Sequence, residues 1–215
     1  MKYKIAIFDL DGTLLDTLQD LADSTNFALQ SYGYPQRSIQ EVRRFVGNGI
    51  EKLIERALPT SVSFEEKTRV LEAFKTHYGA HCEDHTAPYD GIMDLLDRLT
   101  EAGVTIAVVS NKIDFAVQAL CKKYFGSRFS VAVGERKGIR KKPCPDSVLE
   151  VLATAGLSPS DAVYIGDSEV DILTARNAGT DIISVTWGFR DRELLLASGA
   201  KIFADSAWEL EQLLL

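Results

Sequence analysis

The sequence predicts an α/β fold: a doubly wound, Rossmann-like parallel sheet core with a small all-helical cap domain inserted into it. Three observations carry that prediction. Short apolar runs rich in Val and Ile recur, namely "KIAIF" at 4–8, "TIAVVS" at 105–110, "SVAVG" at 130–134, "AVYIG" at 162–166, "IISVT" at 182–186 and "KIFAD" at 201–205. They are continuous rather than alternating, as strands covered on both faces are. Helix-like stretches separate most of them, which points to crossover connections and a parallel sheet.

The elements follow in order. After the first run, Leu18, Leu21, Ala22, Ala28, Leu29 and Tyr32 make a helical stripe that stops at Gly33. Ser38 with Glu41, and Ser63 with Glu66, have the S-x-x-E form that starts helices, and Phe64, Leu71, Phe74 and Tyr78 line the helix after the second of them. Little in this region reads as strand, and a helical stretch of about 70 residues is too long for a crossover. It is expected to be a second domain over 16–87, set into a core domain of 1–15 and 88–215. Sitting near the carboxyl end of the first strand, it would act as a lid over the site. In the core, Ile92, Leu95, Leu96 and Leu99 run to Gly103, while Val148, Leu149 and Leu152 run to Gly156, each at helical spacing. Trp187 and Trp208 read as packing residues.

Composition narrows the function. With 215 residues, 46% of them hydrophobic, the chain can bury one substantial core and a smaller satellite. A formal charge of −7 argues against a polyanion partner, so neither nucleic acid nor a membrane surface is expected. Three scattered cysteines without CxxC spacing and no long apolar span suggest a reduced, cytoplasmic protein. A monomer or homodimer is expected.

The charged residues at the strand ends carry the chemistry. Asp9 and Asp11 flank a single leucine where the first apolar run stops, and on an extended backbone both would face the crevice. Two like charges there need an offsetting cation or opposite protonation roles. Ser110 ends the second run, Asp167 follows "AVYIG", and Lys142 follows a basic loop after "SVAVG". Asp9, Asp11 and Asp167 offer hard oxygen ligands suited to Mg²⁺, and Lys142 with the Ser110 hydroxyl offers donors for phosphate oxygens. The combination points to phosphoryl transfer.

These residues stand in four stretches, "DLDGTLLDT" (9–17), "SN" (110–111), "KPCPD" (142–146) and "GDSEVD" (166–171), which resemble, in order, the four motifs of the haloacid dehalogenase-like superfamily. The resemblance implies that Asp9 is the nucleophile and Asp11 the general acid and base. It further implies that Mg²⁺ is held by the Asp9 side chain, the Asp11 backbone carbonyl and Asp167, with Asp171 in support. Gly12 would permit the tight turn and Thr13 would brace it. Ser110, the Asn111 backbone amide and Lys142 would hold phosphate.

Within the insert, "RRFVGNGI" at 43–50 resembles the phosphoglycolate phosphatase branch of that superfamily. Gly47, Asn48 and Gly49 would face the substrate, and Arg43 or Arg44 would meet a carboxylate. Pyrophosphatase, sugar-phosphate phosphatase and phosphomutase activities share this scaffold and stay open. The alternative of another class is a receiver-type phospho-acceptor module, against which the length of the insert argues. Arg136, Lys137, Arg140 and Lys141 are expected to form a solvated basic face, with attraction of a polyanionic substrate as the alternative. His77, His81 and His85 recur every fourth residue, and the helix is expected to end before His85 can join a ligand set.

Overall fold

Ile5, Ala6, Ile7 and Phe8 are all buried because β1 (Ile5–Phe8) lies in the middle of a sheet with both faces covered. The computed structural model, which describes residues 2–215, contains seven further strands. These are β2 (Leu15–Asp16), β3 (Ala87–Pro88), β4 (Thr105–Ile113), β5 (Val131–Glu135), β6 (Ala162–Gly166), β7 (Asp181–Val185) and β8 (Phe203–Ala204). Six form one sheet in the order β5-β4-β1-β6-β7-β8 with parallel pairings throughout, and β2 with β3 makes a separate two-stranded sheet. The chain leaves β1 on one side and returns on the other, so the order reverses at β1. Open α/β sheets bind ligands at such a reversal, outside the carboxyl ends of the strands.

The helices are α1 (Leu18–Ser31), α2 (Ile39–Phe45), α3 (Ile50–Ala57), α4 (Phe64–His81), α5 (Ile92–Glu101), α6 (Asp114–Phe125), α7 (Asp146–Ala155), α8 (Glu169–Ala178), α9 (Arg192–Ala197) and α10 (Ala207–Leu214). Period-two alternation along β1 builds two cores, one per face. Ala6 and Phe8 pack with Leu96 of α5, Leu120 of α6 and Leu210 of α10 in one cluster. Ile5 and Ile7 pack with Val151 of α7 and Ala175 of α8 in the other.

The chain divides into two units, Met1–Leu15 with Pro88–Leu215, and Asp16–Ala87. The second has its own core of Leu21, Leu29, Val42, Leu53, Val70 and Phe74, drawn from α1 to α4. No helix among the described residues is long and apolar enough to cross a membrane.

Several expectations need correction. Tyr32 is exposed because α1 stops at Ser31, and Phe64, 80% exposed, is the first residue of α4 rather than part of its buried stripe. In α7 the buried stripe is Val148, Val151 and Leu152, which leaves Leu149 exposed one position off it. Trp208 is 68% exposed and does no packing in the core. The last strand shrinks to Phe203–Ala204, whereas β4 runs on to Ile113 through a register shift after Val109. Ser38 and Glu41 bond reciprocally, but at the start of α4 the Ser63 hydroxyl caps the Glu66 amide without a return bond to the Ser63 backbone.

Asp20 was not legible as structural. It is buried in α1 and its carboxylate accepts from the His85 amide (2.9 Å), the Thr86 amide (3.0 Å) and the Thr86 hydroxyl (2.7 Å), tying the end of the helical unit to its beginning. Removing a charged acceptor strands buried donors at a cost of about 1–3 kcal/mol. Asp20→Ala is therefore expected to destabilise the protein by about 3 kcal/mol in urea unfolding. An unchanged midpoint would show that these bonds do not hold the unit together.

Candidate active site

Asp9 and Asp167 are the first residues after β1 and β6, neighbouring parallel strands, so both emerge at one edge of the sheet. Asp171 comes from the first turn of α8 and folds back, accepting from the Ser168 amide at 3.0 Å and the Ser168 hydroxyl at 2.6 Å. One carboxylate oxygen from each of the three lies within 4.8 Å of the others. Lys142 is buried among them, with Nζ 2.9 Å from Asp9 Oδ1 and 2.7 Å from Asp171 Oδ1. It also donates to the Tyr164 hydroxyl at 3.0 Å, and that hydroxyl donates on to the Val109 carbonyl.

The electrostatics are unbalanced. Burial pushes the Asp9 carboxyl up against the pull of Lys142, and Asp171 and Asp11 add to the rise, leaving it at about 7. Burial, then the Asp171 and Asp9 charges, push Asp167 up to about 8, opposed by donors from Phe189 and Thr13. Burial alone would lower the Lys142 ammonium, but Asp171 and Asp9 outweigh it and hold it well above its ordinary value. With all three carboxyls ionised, one lysine would leave two negative charges uncompensated, which is why Asp9 and Asp167 hold their protons so far up the pH scale. Asp9 Oδ1 has Lys142 within ion-pair range, yet the ammonium lies off hydrogen-bonding direction, so this buried oxygen has no directed donor.

The turn after β1 shapes the rest. The amides of Thr13, Leu14 and Leu15 all point to the Leu10 carbonyl, and Gly12 takes φ +86°. A Cβ at Gly12 would fall 2.6 Å from Asp167 Oδ2, so only glycine fits beside that carboxylate. Thr13 donates its hydroxyl to Asp167 Oδ1 at 3.0 Å. Because the chain turns immediately after Asp9, Asp11 is not on an extended strand and period-two alternation does not set its direction. Its carboxylate pairs with Lys112 Nζ at 3.0 Å.

Ser110 accepts from the Lys112 amide at 3.2 Å, which leaves its own proton free to donate. The Asn111 side chain is used internally: it donates to the Lys142 carbonyl at 3.1 Å and accepts from the Lys142 amide at 2.9 Å, fixing that lysine's backbone. Lys112 and Tyr164 were missed by sequence reasoning. The signal for Lys112 was a lysine placed directly after the Ser-Asn pair at a strand end. Tyr164 sits inside an apolar run and reads only as core.

In the helical unit, Gly47 (φ +116°) and Gly49 (φ +84°) bracket Asn48 between α2 and α3. Arg56 braces this loop, donating to the Phe45 carbonyl and to Asn48 Oδ1, both at 2.7 Å. Arg43 is half-buried and Arg44 exposed. His77 stacks between Phe27 and His81 at 4.1 and 4.3 Å, His81 pairs with Asp84, and His85 lies past the end of α4. In the basic loop, Arg136 pairs with Glu150, Arg140 with Asp146 and Lys141 with Glu135, so acidic neighbours offset most of its charge.

Fold, strand-end carboxylates and buried lysine define a hydrolase core, and residues 6–185 match the haloacid dehalogenase-like hydrolase family. The chain belongs to that family. It is 32% identical over 212 residues to phosphoglycolate phosphatase 1 of Pseudomonas aeruginosa, covering 96% of this chain and 78% of the relative. It is 34% identical to N-acetylmuramic acid 6-phosphate phosphatase of the same organism, covering 98% and 94%. A crystal structure from Lactobacillus delbrueckii subsp. bulgaricus, provisionally described as a phosphoglycolate phosphatase, superposes with a TM-score of 0.97 at 41% identity, covering 100% and 99%. The receiver-type reading is set aside by this family membership.

Carboxyls raised from 3.8 to about 7 and about 8 bind extra protons in the folded state across that interval. Their contribution to stability is complete below the unfolded value and lost as pH rises through the folded values. Chelator-treated protein is thus expected to melt at falling temperature between about pH 5 and pH 8, and Asp167→Asn to flatten that slope. A slope identical in parent and variant would contradict the buried charge excess.

Proposed function

We propose that the chain is an Mg²⁺-dependent phosphomonoester hydrolase acting on 2-phosphoglycolate through an aspartyl phosphate. The observation that carries this reading is the convergence of Asp9, Asp167 and Asp171 on one buried spot, where burial and mutual repulsion push the Asp9 and Asp167 carboxyls up and a divalent cation would relieve that penalty. The donors are all hard oxygens, as Mg²⁺ requires, and Asp9 Oδ1 lacks a directed donor, so the residues fit the ion. Asp9 and Asp167 would hold it through their side chains and Asp11 through its backbone carbonyl, with Asp171 in support. When bound, it would offset the repulsion between phosphate and carboxylates.

An Asp9 carboxylate oxygen attacks phosphorus, the phosphorus–ester oxygen bond breaks, and Asp11 gives its proton to the leaving alkoxide. Asp11 then takes a proton from water as the water oxygen attacks the phosphorus. The Asp9–phosphorus bond breaks, releasing inorganic phosphate and restoring the carboxylate. The Asp11 carboxylate lies 3.0 Å from Lys112 Nζ, which holds it in place. Ser110, the Asn111 amide and Lys142 steady the phosphoryl oxygens, with Gly12 and Thr13 holding the turn that carries Asp11.

Within this reading residues 1–15 and 88–215 are the catalytic core, and 16–87 is a cap that selects the substrate. Every residue of the carboxylate cluster belongs to the first unit, and the glycine-bracketed loop at 47–49 with Arg43 is the cap's candidate for a substrate carboxylate. The named activity of the Pseudomonas aeruginosa relative supports phosphoglycolate. A second reading, a sugar 6-phosphate, is supported by the N-acetylmuramic acid 6-phosphate phosphatase at similar identity and fuller coverage. A cytoplasmic monomer or homodimer acting on a small phosphorylated metabolite fits either substrate.

The test is a panel of 2-phosphoglycolate, sugar 6-phosphates and pyrophosphate with and without Mg²⁺. Phosphoglycolate is expected to give the highest kcat/KM, turnover to vanish on chelation, and Asp9→Asn to lower kcat by about 10⁴-fold or more while keeping the fold. Preference for a sugar phosphate would move the substrate assignment, and parent-like rates in Asp9→Asn would remove the nucleophile.

A further inference from the structure

A segment outside all four motifs closes around Asp167. Residues 187–190 follow β7, and each makes its own link to the carboxylate site. Trp187 Nε1 donates to the Thr13 carbonyl at 3.0 Å. Gly188 lies so close that a Cβ there would fall 2.3 Å from both Asp167 Cβ and the Gly12 carbonyl oxygen. The Phe189 amide donates to Asp167 Oδ2 at 2.8 Å. Arg190 is buried, with Nε 2.8 Å from Glu169 Oε2, which joins the far end of the segment to the first residue of α8.

Asp167 is thereby gripped from two sides. Oδ1 accepts from the Thr13 hydroxyl and Oδ2 from the Phe189 amide, so the plane of the carboxylate is set while each oxygen keeps a lone pair for another partner. Gly12 and Gly188 wall the same group, and neither wall has room for a methyl. Arg190 is buried and Glu169 half-buried, and an ion pair of that kind contributes little net stability against an apolar pair of the same volume, so its consequence here is placement. We propose that Trp187–Arg190 is a strap that positions Asp167 for the divalent cation, with Gly188 and Arg190 as its positioning residues. The inference rests on the reading that Asp167 holds that cation.

Mn²⁺ binding to the full chain, followed by electron paramagnetic resonance, tests the strap without reference to turnover. Gly188→Ala and Arg190→Met are each expected to weaken Mn²⁺ by about 10- to 100-fold, the usual effect of losing a group that orients a metal ligand. Asp20→Ala, which destabilises the chain away from the strap, is expected to bind Mn²⁺ like the parent. Parent-like affinity in folded Gly188→Ala and Arg190→Met would overturn the proposal, as would an equal loss in Asp20→Ala. If Gly188→Ala fails to fold, the comparison of Arg190→Met with Asp20→Ala decides. A parent that takes up no Mn²⁺ would instead remove the metal reading itself, and the strap with it.

Discussion

One lysine among three buried carboxylates is the constraint on which the rest depends. Lys142 reaches Asp9 and Asp171 but cannot balance both of them and Asp167. Burying charge without a partner costs several kcal/mol per group, so the site is tolerable only when protons or a cation supply what is missing. The fold accepts that penalty at the one place where open α/β sheets bind ligands.

The topology explains how residues so far apart in the chain meet. Reversal of strand order at β1 brings the ends of β1 and β6 side by side, so Asp9 and Asp167 are neighbours through sheet pairing alone. The remaining parts are fastened by short polar links. Asn111 fixes the backbone of Lys142, Tyr164 passes a hydrogen bond from Lys142 to β4, and the Ser168–Asp171 cap turns Asp171 toward the lysine. The carboxylate cluster and its lysine thus lie wholly within the sheet unit, while Asp16–Ala87 keeps a separate core of its own.

Much of this was legible beforehand because burial on both faces forces continuous apolar runs, and six of them can be read directly. The strand-end acids stood out because a charge next to such a run needs a reason. What escaped notice depends on pairing across long sequence separations. Tyr164 is indistinguishable from core until the register places its hydroxyl beside Lys142, and Asp20 resembles any solvent-facing helix residue until Thr86 is seen to meet it. Trp208 and Phe64 misled in the opposite direction, because single exposed aromatics carry little penalty and sequence pattern cannot exclude them. Asp11 lies past the end of β1, so alternation along that strand does not set its direction, although its charge is still felt by Asp9.

The central claim is that these carboxylates share one divalent cation. Anomalous scattering from crystals grown with Mn²⁺ tests it most directly. The account predicts a single strong peak within coordination distance of both the Asp9 and Asp167 carboxylates. A peak elsewhere, or none at saturating Mn²⁺, would contradict it.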